Sequence, residues 1–415
     1  MRYEFPIDIT LEEVRQAIAN HNARTGTNSF IEADRGDIVI FNYVVSFDGA
    51  FPAPITEDEN LNREYAIIRE CRGLTFHKDG RLLNRKFAKF FNVNEKPETQ
   101  SSEIDWSQPH KIFEKLDGSM ITPIWTGDME DIDGDGIRWC TKMGMTDVAV
   151  PVEEFVSKNP HYARWASMQL YSGYTPIFEW CSRQQKIVVD YPEDRLVLLA
   201  IRDNRTGLYL SYEQMLAAEN SGIEVVRTLD GSIENIEEFM AEAQDLEGAE
   251  GYIIRFDDGH MVKVKGAWYV QIHRTKEFLQ HEKDVLQLIF QDRLDDAKAF
   301  MDNDDRERVE RYNADLALAI EAQAVRLYAI ANRLDPIDNR PSKKEYVDLV
   351  RGLDLQDHEQ GILFRIYDGH EPGELVRNII AKHISTGPRV ESVRHLMGGL
   401  NWNDYRDSNA NVGDD

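Results

Sequence analysis

The apolar residues of this 415-residue chain change their period near Lys276, and that change limits the possible folds more than any other feature. Before it, short runs such as DIVIFNYVVSF, HKIFEKLD, TPIFEWCS, RLVLLAIRD, GYIIRFDD and HMVKVKGAWYV have the length and alternation of strands. After it, Val309, Tyr312, Leu316, Ile320, Gln323 and Leu327 recur at steps of three and four, the spacing of one helix face. The chain therefore reads as α+β: an antiparallel-sheet domain over 1–276, then an all-helical domain over 277–406. The last stretch, DSNANVGDD at 407–415, has the composition of a disordered tail.

Local signals sharpen this division. Thr10 followed by Glu13 is a capping box that opens a helix through LEEVRQAIANHN, and Ser342 with Glu345 opens another in the helical part. RECRGLTF and RLLNRKFAKFF read as strands flanking a Lys78-Asp79-Gly80 turn. GIRWCTKMG and QKIVVDY add two more strands, while PVEEFVSKNPHYARWASMQLY and IENIEEFMAEAQ carry helical patterns.

A formal charge of −26 excludes a broad basic surface for duplex DNA or an anionic membrane. Any nucleic-acid role must then rest on a local cationic site. Cys71, Cys140 and Cys181 are far apart, so neither a disulfide framework nor a Cys-based zinc site is expected. The start MRYEFPIDITLEEV lacks a signal-peptide apolar core, and the longest apolar run, LVLLAI, is too short for a bilayer. A soluble protein of a reducing cytoplasm is expected.

Chemistry concentrates around Lys115 in HKIFEKLDGSM, where a strand ends at a lysine before an Asp-Gly turn. A lysine that attacks phosphorus must shed its proton, and further cations must clamp the phosphate it attacks. The sequence supplies candidates. Lys263 and Lys265 in MVKVKGAWY lie two apart on one strand face. In TPIFEW, Phe178 and Trp180 share a face and present Glu179 on the other. Glu250 stands at a strand start before Gly251, and Arg72, Lys89 and Lys142 fall in ECRG, KFAKFFN and CTKMG. Any one of these alone would read as an ordinary solvated charge on a strand.

Their order is more specific. ECRG, KFFN, K-x-D-G-S, F-E, E-G-Y and K-V-K-x-x-W-Y together resemble the ATP-dependent RNA ligase 1 family, the T-even bacteriophage tRNA-repair type of lysine nucleotidyltransferase. The resemblance runs from about Phe41 to about Tyr328. It implies a nucleotidyltransferase (adenylation) domain followed by a helical RNA-specificity domain. It implies ATP and Mg²⁺ as cofactors, and RNA with 5′-phosphate and 3′-hydroxyl ends, such as a nicked tRNA, as substrate. By the same resemblance Lys115 is the adenylated nucleophile, and Arg72, Lys89 and Tyr43 contact the nucleotide. Glu179 holds the ribose, Lys263 and Lys265 hold the transferring phosphoryl group, and Asp117 and Gly118 shape the turn. Lys142 and Tyr269 occupy positions the family needs for activity, and Asp295 and Glu250 are metal candidates. The chain is expected to act as a monomer, in a bacterial host cytoplasm if phage-encoded.

The chain departs from the family at Lys186 in QQKIVVDY, where the family carries an arginine. Lysine lacks the planar fork of arginine, which puts a binding role there in doubt. Rival readings are a DNA ligase, a capping-type nucleotidyltransferase, or a non-catalytic RNA-binding protein derived from a ligase. The first two typically append a β-barrel rather than helices. DIDGDGIRWCTK also imitates a calcium loop at Asp131, Asp133, Asp135 and Gly136, but Lys142 stands where that loop needs a glutamate. An acidic hairpin is expected instead.

Overall fold

The computed structural model describes residues 3–44, 49–126, 136–291, 293–336, 338 and 340–405. The tail at 407–415 and the acidic triplet Asp131, Asp133 and Asp135 lie outside the described residues. Contacts divide the chain into two units, one reaching Val270 and the other beginning at Gln271.

The described residues of the first unit form three sheets. β1 (Phe30–Arg35), β2 (Ile38–Tyr43), β3 (Leu74–His77) and β4 (Leu82–Asn84) pair in sequence order, antiparallel throughout. α1 (Leu11–Thr25) and α2 (Glu59–Glu70) bury Val14, Ala17, Ile67 and Ile68 in the same apolar cluster as Phe41 and Phe76 of that sheet. The Thr10–Glu13 capping box forms as expected.

A second sheet contains β5 (Phe91–Asn92), β6 (His110–Lys115), β11 (Thr228–Leu229), β12 (Gly251–Phe256) and β13 (Met261–Lys265), in the order β11-β6-β12-β13-β5. A third contains β7 (Ser119–Trp125), β8 (Ile137–Cys140), β9 (Tyr174–Cys181) and β10 (Arg195–Asp203), in the order β10-β9-β7-β8. All pairings are antiparallel except β13 with β5. α3 (Val150–Lys158), α4 (His161–Tyr171), α5 (Tyr212–Leu216) and α6 (Ile236–Gln244) complete the unit. α4 buries Trp165, Ala166 and Leu170 in one cluster with Phe178 of β9.

Side-chain alternation fixes which face of the second sheet is chemically active. Ile112, Ile254, Val262 and Val264 bury in a core that includes Ile236 and Ala243 of α6. The intervening Phe113, Lys115, Ile253, Arg255, Met261 and Lys263 therefore share the opposite face, where all six line one pocket.

A buried charged triad ties distant segments of this unit together. The Glu70 carboxylate receives hydrogen bonds from both Arg85 and Arg202, and all three side chains are almost fully buried. Arg85 also donates to the carbonyl of Pro6, and Arg202 to that of Gly207. Burial alone would raise the Glu70 carboxyl; the charges of Arg202 and Arg85 and their hydrogen bonds outweigh it and hold the group below the usual carboxylate range.

α7 (Ala267–Gln280) contains the division between the units. The second unit continues with α8 (Glu282–Phe290), α9 (Leu294–Lys298), α10 (Asn303–Leu334), α11 (Lys343–Arg351), α12 (Asp357–Tyr367), α13 (Pro372–Lys382) and α14 (Gly387–Ser392), with no strand among its described residues. α10 buries Val309, Tyr312, Leu316, Ile320 and Leu327 against residues such as Ile362, Val376 and Leu396. Each large aliphatic buried there contributes roughly 1.5–3 kcal/mol. Ser342 and Glu345 form the expected capping box at α11.

Four local readings are corrected. Arg69 and Glu70, read as the start of a strand, end α2 instead, because Asp58 caps a helix whose Ala66, Ile67 and Ile68 turn inward. The run RLLNRKFAKFF is not one strand: β4 stops at Asn84 and β5 begins at Phe91, with Arg85 and Lys86 committed to buried hydrogen bonds between them. QKIVVDY forms no strand, since the Val188 and Val189 amides bond a side chain rather than a neighbouring strand. HMVKVKGAWYV stops being a strand at Lys265, and Ala267 onward is helical, so Tyr269 stands on α7.

Candidate active site

Lys115 ends β6, Ser119 begins β7, and these strands belong to different sheets. The three residues between them must carry the chain from one sheet to the other, which explains an Asp-Gly turn just after the lysine. Gly118 makes this possible by proximity: a Cβ there would sit 2.3 Å from the Trp180 carbonyl oxygen on β9.

Asp117 locks the turn. Its backbone N–H donates to the Tyr191 hydroxyl at 2.8 Å, and Oδ2 accepts from the amides of Val188 and Val189 at 2.7 and 2.6 Å. Oδ1 accepts from the Tyr269 hydroxyl at 2.7 Å, and the carboxylate is buried. Tyr191 keeps its proton, because burial pushes its phenol well up. Asp117 thus fastens the lysine turn to α7 and to the irregular segment around Val188.

Lys115 pairs in register with Gly251 of β12, and Gly251 pairs with Lys265 of β13. This register gathers three charges. Lys115 Nζ lies 2.6 Å from Glu250 Oε1, and Lys265 Nζ lies 3.1 Å from the same oxygen. The Glu250 side chain is 2% exposed, whereas Lys115 retains 16%, so the nucleophile candidate has access from outside and its partner does not. Gly251 has φ 143°, and a Cβ there would meet the Val264 carbonyl at 2.1 Å, so only glycine fits between the paired lysines.

A pocket of ≈ 1010 Å³, its mouth included, opens beside Lys115. Its lining brings together Tyr43, Arg72, Lys89, Lys115, Gly118, Glu179 and Lys263 of the expected residues. The Nζ of Lys89 lies over the Tyr43 ring at 4.7 Å, and that of Lys142 lies over the same ring at 5.1 Å. Arg72 and Lys263 both stand 5.8 Å from the Phe90 ring centre. Aromatic faces here help hold these cations in place. Glu179, on β9, is nearly buried at the pocket wall, while its neighbours Phe178 and Trp180 point into the core.

Lys142, Lys265, Asp117, Glu250 and Tyr269 are outside the pocket lining but are linked to it through Tyr43, Lys115 or its turn. Asp295 belongs to the second unit, where it is exposed and pairs with Lys298 at 3.2 Å. Lys186 forms an ion pair with Asp190. Among the described residues, no three His, Cys, Asp or Glu side chains converge as a ready metal cage.

Sequence reasoning missed the apolar end of the pocket. Phe87, Phe113, Leu199, Val226, Ile253 and Met261 line it, with the guanidinium of Arg255 among them. The signal was present: Gly251, Ile253 and Arg255 alternate onto the face that carries Lys263 and Lys265.

Comparison with known proteins identifies relatives of the chain. A sequence profile of the family described as RNA ligase matches residues 70–269. The chain is 31% identical over 309 residues to a putative RNA ligase of Thermovibrio ammonificans, covering 72% of this chain and 73% of that one. It is 28% identical over 239 residues to RNA ligase 1 of Bacteriophage TS2126, covering 55% and 57% of the two chains. Among solved structures it resembles an apo Naegleria gruberi RNA ligase at 18% identity and a TM-score of 0.37, covering 46% of this chain and 57% of that one. No helix among the described residues is long and apolar enough to cross a membrane.

Proposed function

Because the chain belongs to the ATP-dependent RNA ligase family, we propose that Lys115 is the residue it adenylates and that the pocket beside Lys115 holds ATP. The observation that carries this reading is the placement of one accessible lysine at the mouth of a pocket lined by Arg72, Lys89 and Lys263. In the first step the deprotonated Lys115 amine attacks the α-phosphorus, the bond to pyrophosphate breaks, and a lysyl-AMP phosphoramidate forms. In the second, a 5′-phosphate oxygen of RNA takes the AMP and frees the lysine. In the third, a 3′-hydroxyl attacks the activated 5′-phosphate, its proton is lost, and AMP leaves as the phosphodiester forms.

The chain's own residues have separable tasks in this scheme. Lys263 and Lys265, on one strand face, offset charge that builds on the transferring phosphoryl group. Arg72 and Lys89 hold phosphate and ribose oxygens, with Tyr43 and Phe90 keeping those cations in place. Glu179 accepts from the ribose hydroxyls. Lys142 supports the same cationic wall across Tyr43. Asp117, Gly118 and Tyr269 position the turn. A carboxylate in contact favours the charged ammonium, so Lys115 must exchange its contact with Glu250 before it can attack.

The donor set fits Mg²⁺, which is commonly bound by one or two carboxylates together with substrate phosphates. Glu250 is the carboxylate in place for it, whereas Asp295 is exposed and paired within the second unit. Such an ion would neutralise phosphate charge and favour departure of pyrophosphate.

The substrate is RNA bearing a 5′-phosphate and a 3′-hydroxyl. The helical unit selects among folded RNAs such as a nicked tRNA, and the enzyme works as a monomer in the cytoplasm of a bacterial host. With a net charge of −26, RNA contacts must be local, and binding should weaken steeply with salt. The test is a denaturing gel of protein incubated with α-labelled ATP and Mg²⁺, then chased with 5′-phosphorylated RNA. Label should appear on the protein and then pass to RNA; label that never becomes covalent overturns the reading.

A further inference from the structure

The pocket wall contains a buried cation whose only side-chain hydrogen-bond acceptor among the described residues is a thioether. Arg255 of β12 is 7% exposed, and both terminal nitrogens of its guanidinium point at Met215 Sδ, each at 3.7 Å. Its carbon centre lies 4.7 Å from the centroid of the Phe113 ring. It forms no ion pair with a carboxylate among the described residues. Burial pulls its pKa down to about 10, and the charges of Tyr209, Glu213 and Asp257 oppose this only in part. Thioether sulfur is a weak acceptor, so the guanidinium keeps unused donor capacity in an apolar wall. A buried charge left in this condition is expensive to the fold, and such groups persist where a ligand completes them.

Its position in the sheet says which part of a ligand it meets. Lys115 is opposite Gly251, Phe113 is opposite Ile253, and Lys111 is opposite Arg255. Arg255 therefore stands four residues along β12 from the nucleophile's register, which is roughly 13 Å of strand. A nucleotide with its α-phosphate at Lys115 would run inward along this face, passing Ile253 and ending with the base edge farthest from the ribose. On adenine that edge presents N1, an acceptor, and the 6-amino group, a donor. On guanine N1–H is a donor, and the acceptor on that edge is O6, where adenine carries its amino group. A guanidinium only donates, so on adenine the acceptor it can meet along this edge is N1.

We propose that Arg255 is a specificity-determining residue that donates a hydrogen bond to N1 of the bound adenine. The inference rests on the reading of this pocket as the ATP site. A site built around a buried donor rejects an analogue that lacks the acceptor, because the donor is then left unpaired.

The experiment compares self-adenylylation by ATP and 1-deaza-ATP in the full-length protein and in Arg255→Met. The methionine variant preserves apolar volume and removes a buried unpaired charge, so it should melt no lower than the parent. The parent should use 1-deaza-ATP roughly 10- to 100-fold less efficiently than ATP, measured as kcat/KM. In Arg255→Met that ratio should approach one. A folded variant that keeps the parental ratio of ATP to 1-deaza-ATP overturns the assignment of Arg255 alone. A parent protein that no nucleotide labels overturns the pocket reading and this inference with it.

Discussion

Lys115 Nζ and Glu250 Oε1 are 2.6 Å apart at the mouth of the pocket, and Lys265 Nζ reaches the same oxygen at 3.1 Å. One buried carboxylate therefore holds both the proposed nucleophile and one of the cations proposed to receive phosphate. If that arrangement is the resting form of the site, removing either side of it has separate consequences. Lys115→Ala should abolish covalent labelling by ATP. Glu250→Gln should keep the nucleotide pocket but remove the carboxylate proposed for Mg²⁺, and so slow labelling on the order of 10²-fold, with ATP binding less affected. Rates of label appearance, set beside equilibrium binding of ATP, separate these outcomes. Equal labelling of Lys115→Ala and the parent would remove Lys115 from the mechanism.

Lys263→Ala and Lys265→Ala should each lower adenylylation by about 10²-fold or more. Lys263 lies on the pocket wall over Phe90, and Lys265 lies on the same strand face against Glu250. Single-turnover label formation is the measurement. Near-parental rates in both variants would mean that neither ammonium meets the transferring phosphate.

Tyr269→Phe removes one hydroxyl that donates to Asp117 Oδ1 and leaves the ring in place. The turn should loosen without opening a cavity, at a cost to stability of about 1–3 kcal/mol. A positioning role predicts a fall in kcat for adenylylation with little change in KM for ATP. Unchanged kcat would show that the two amides at Val188 and Val189 hold the turn by themselves.

Acid should weaken the first unit through Glu70. Its folded carboxyl titrates below the usual range, so the unfolded state binds the proton more readily. The stability this supplies is present in full above about pH 4.5 and is lost as pH falls through the folded value. Glu70→Gln leaves Arg85 and Arg202 without their carboxylate, at about 3–5 kcal/mol. The gap in Tm between parent and variant should therefore be widest near neutrality and narrow below about pH 4.5. A gap that stays constant across that range would mean the triad does not titrate with folding.

The readable and unreadable parts of this chain differ in the range of the interactions that fix them. Periodicity predicted α10 because Val309 through Leu327 answer to one face of one helix. Strand alternation predicted the face shared by Lys263 and Lys265, and motif order collected Tyr43, Arg72, Lys89, Lys115 and Glu179 into one pocket. Local pattern failed where distant partners decide the backbone. The apolar run at Val188 looks like a strand, yet its amides belong to Asp117, about seventy positions earlier. Glu70 looks like a strand residue until Arg202 supplies the reason it is buried at a helix end. Alternation puts Arg255 on the lysine face, but a lone arginine on a strand usually faces water, and only the fold shows it enclosed. A cut near Asp335 would strip α10 of Ile362, Val376 and Leu396, so point changes on the helical surface are the sounder probe of RNA choice.

The two amides held by Asp117 have a further use. Val188 and Val189 lie in a segment without regular structure, where backbone protons ordinarily trade with solvent quickly. Here they are bonded to a carboxylate two residues from Lys115. Their deuterium uptake therefore reports whether the nucleophile's turn is closed, without a substrate, a label or a change to the active site. Slow uptake that quickens in Tyr269→Phe would time the opening of that turn directly.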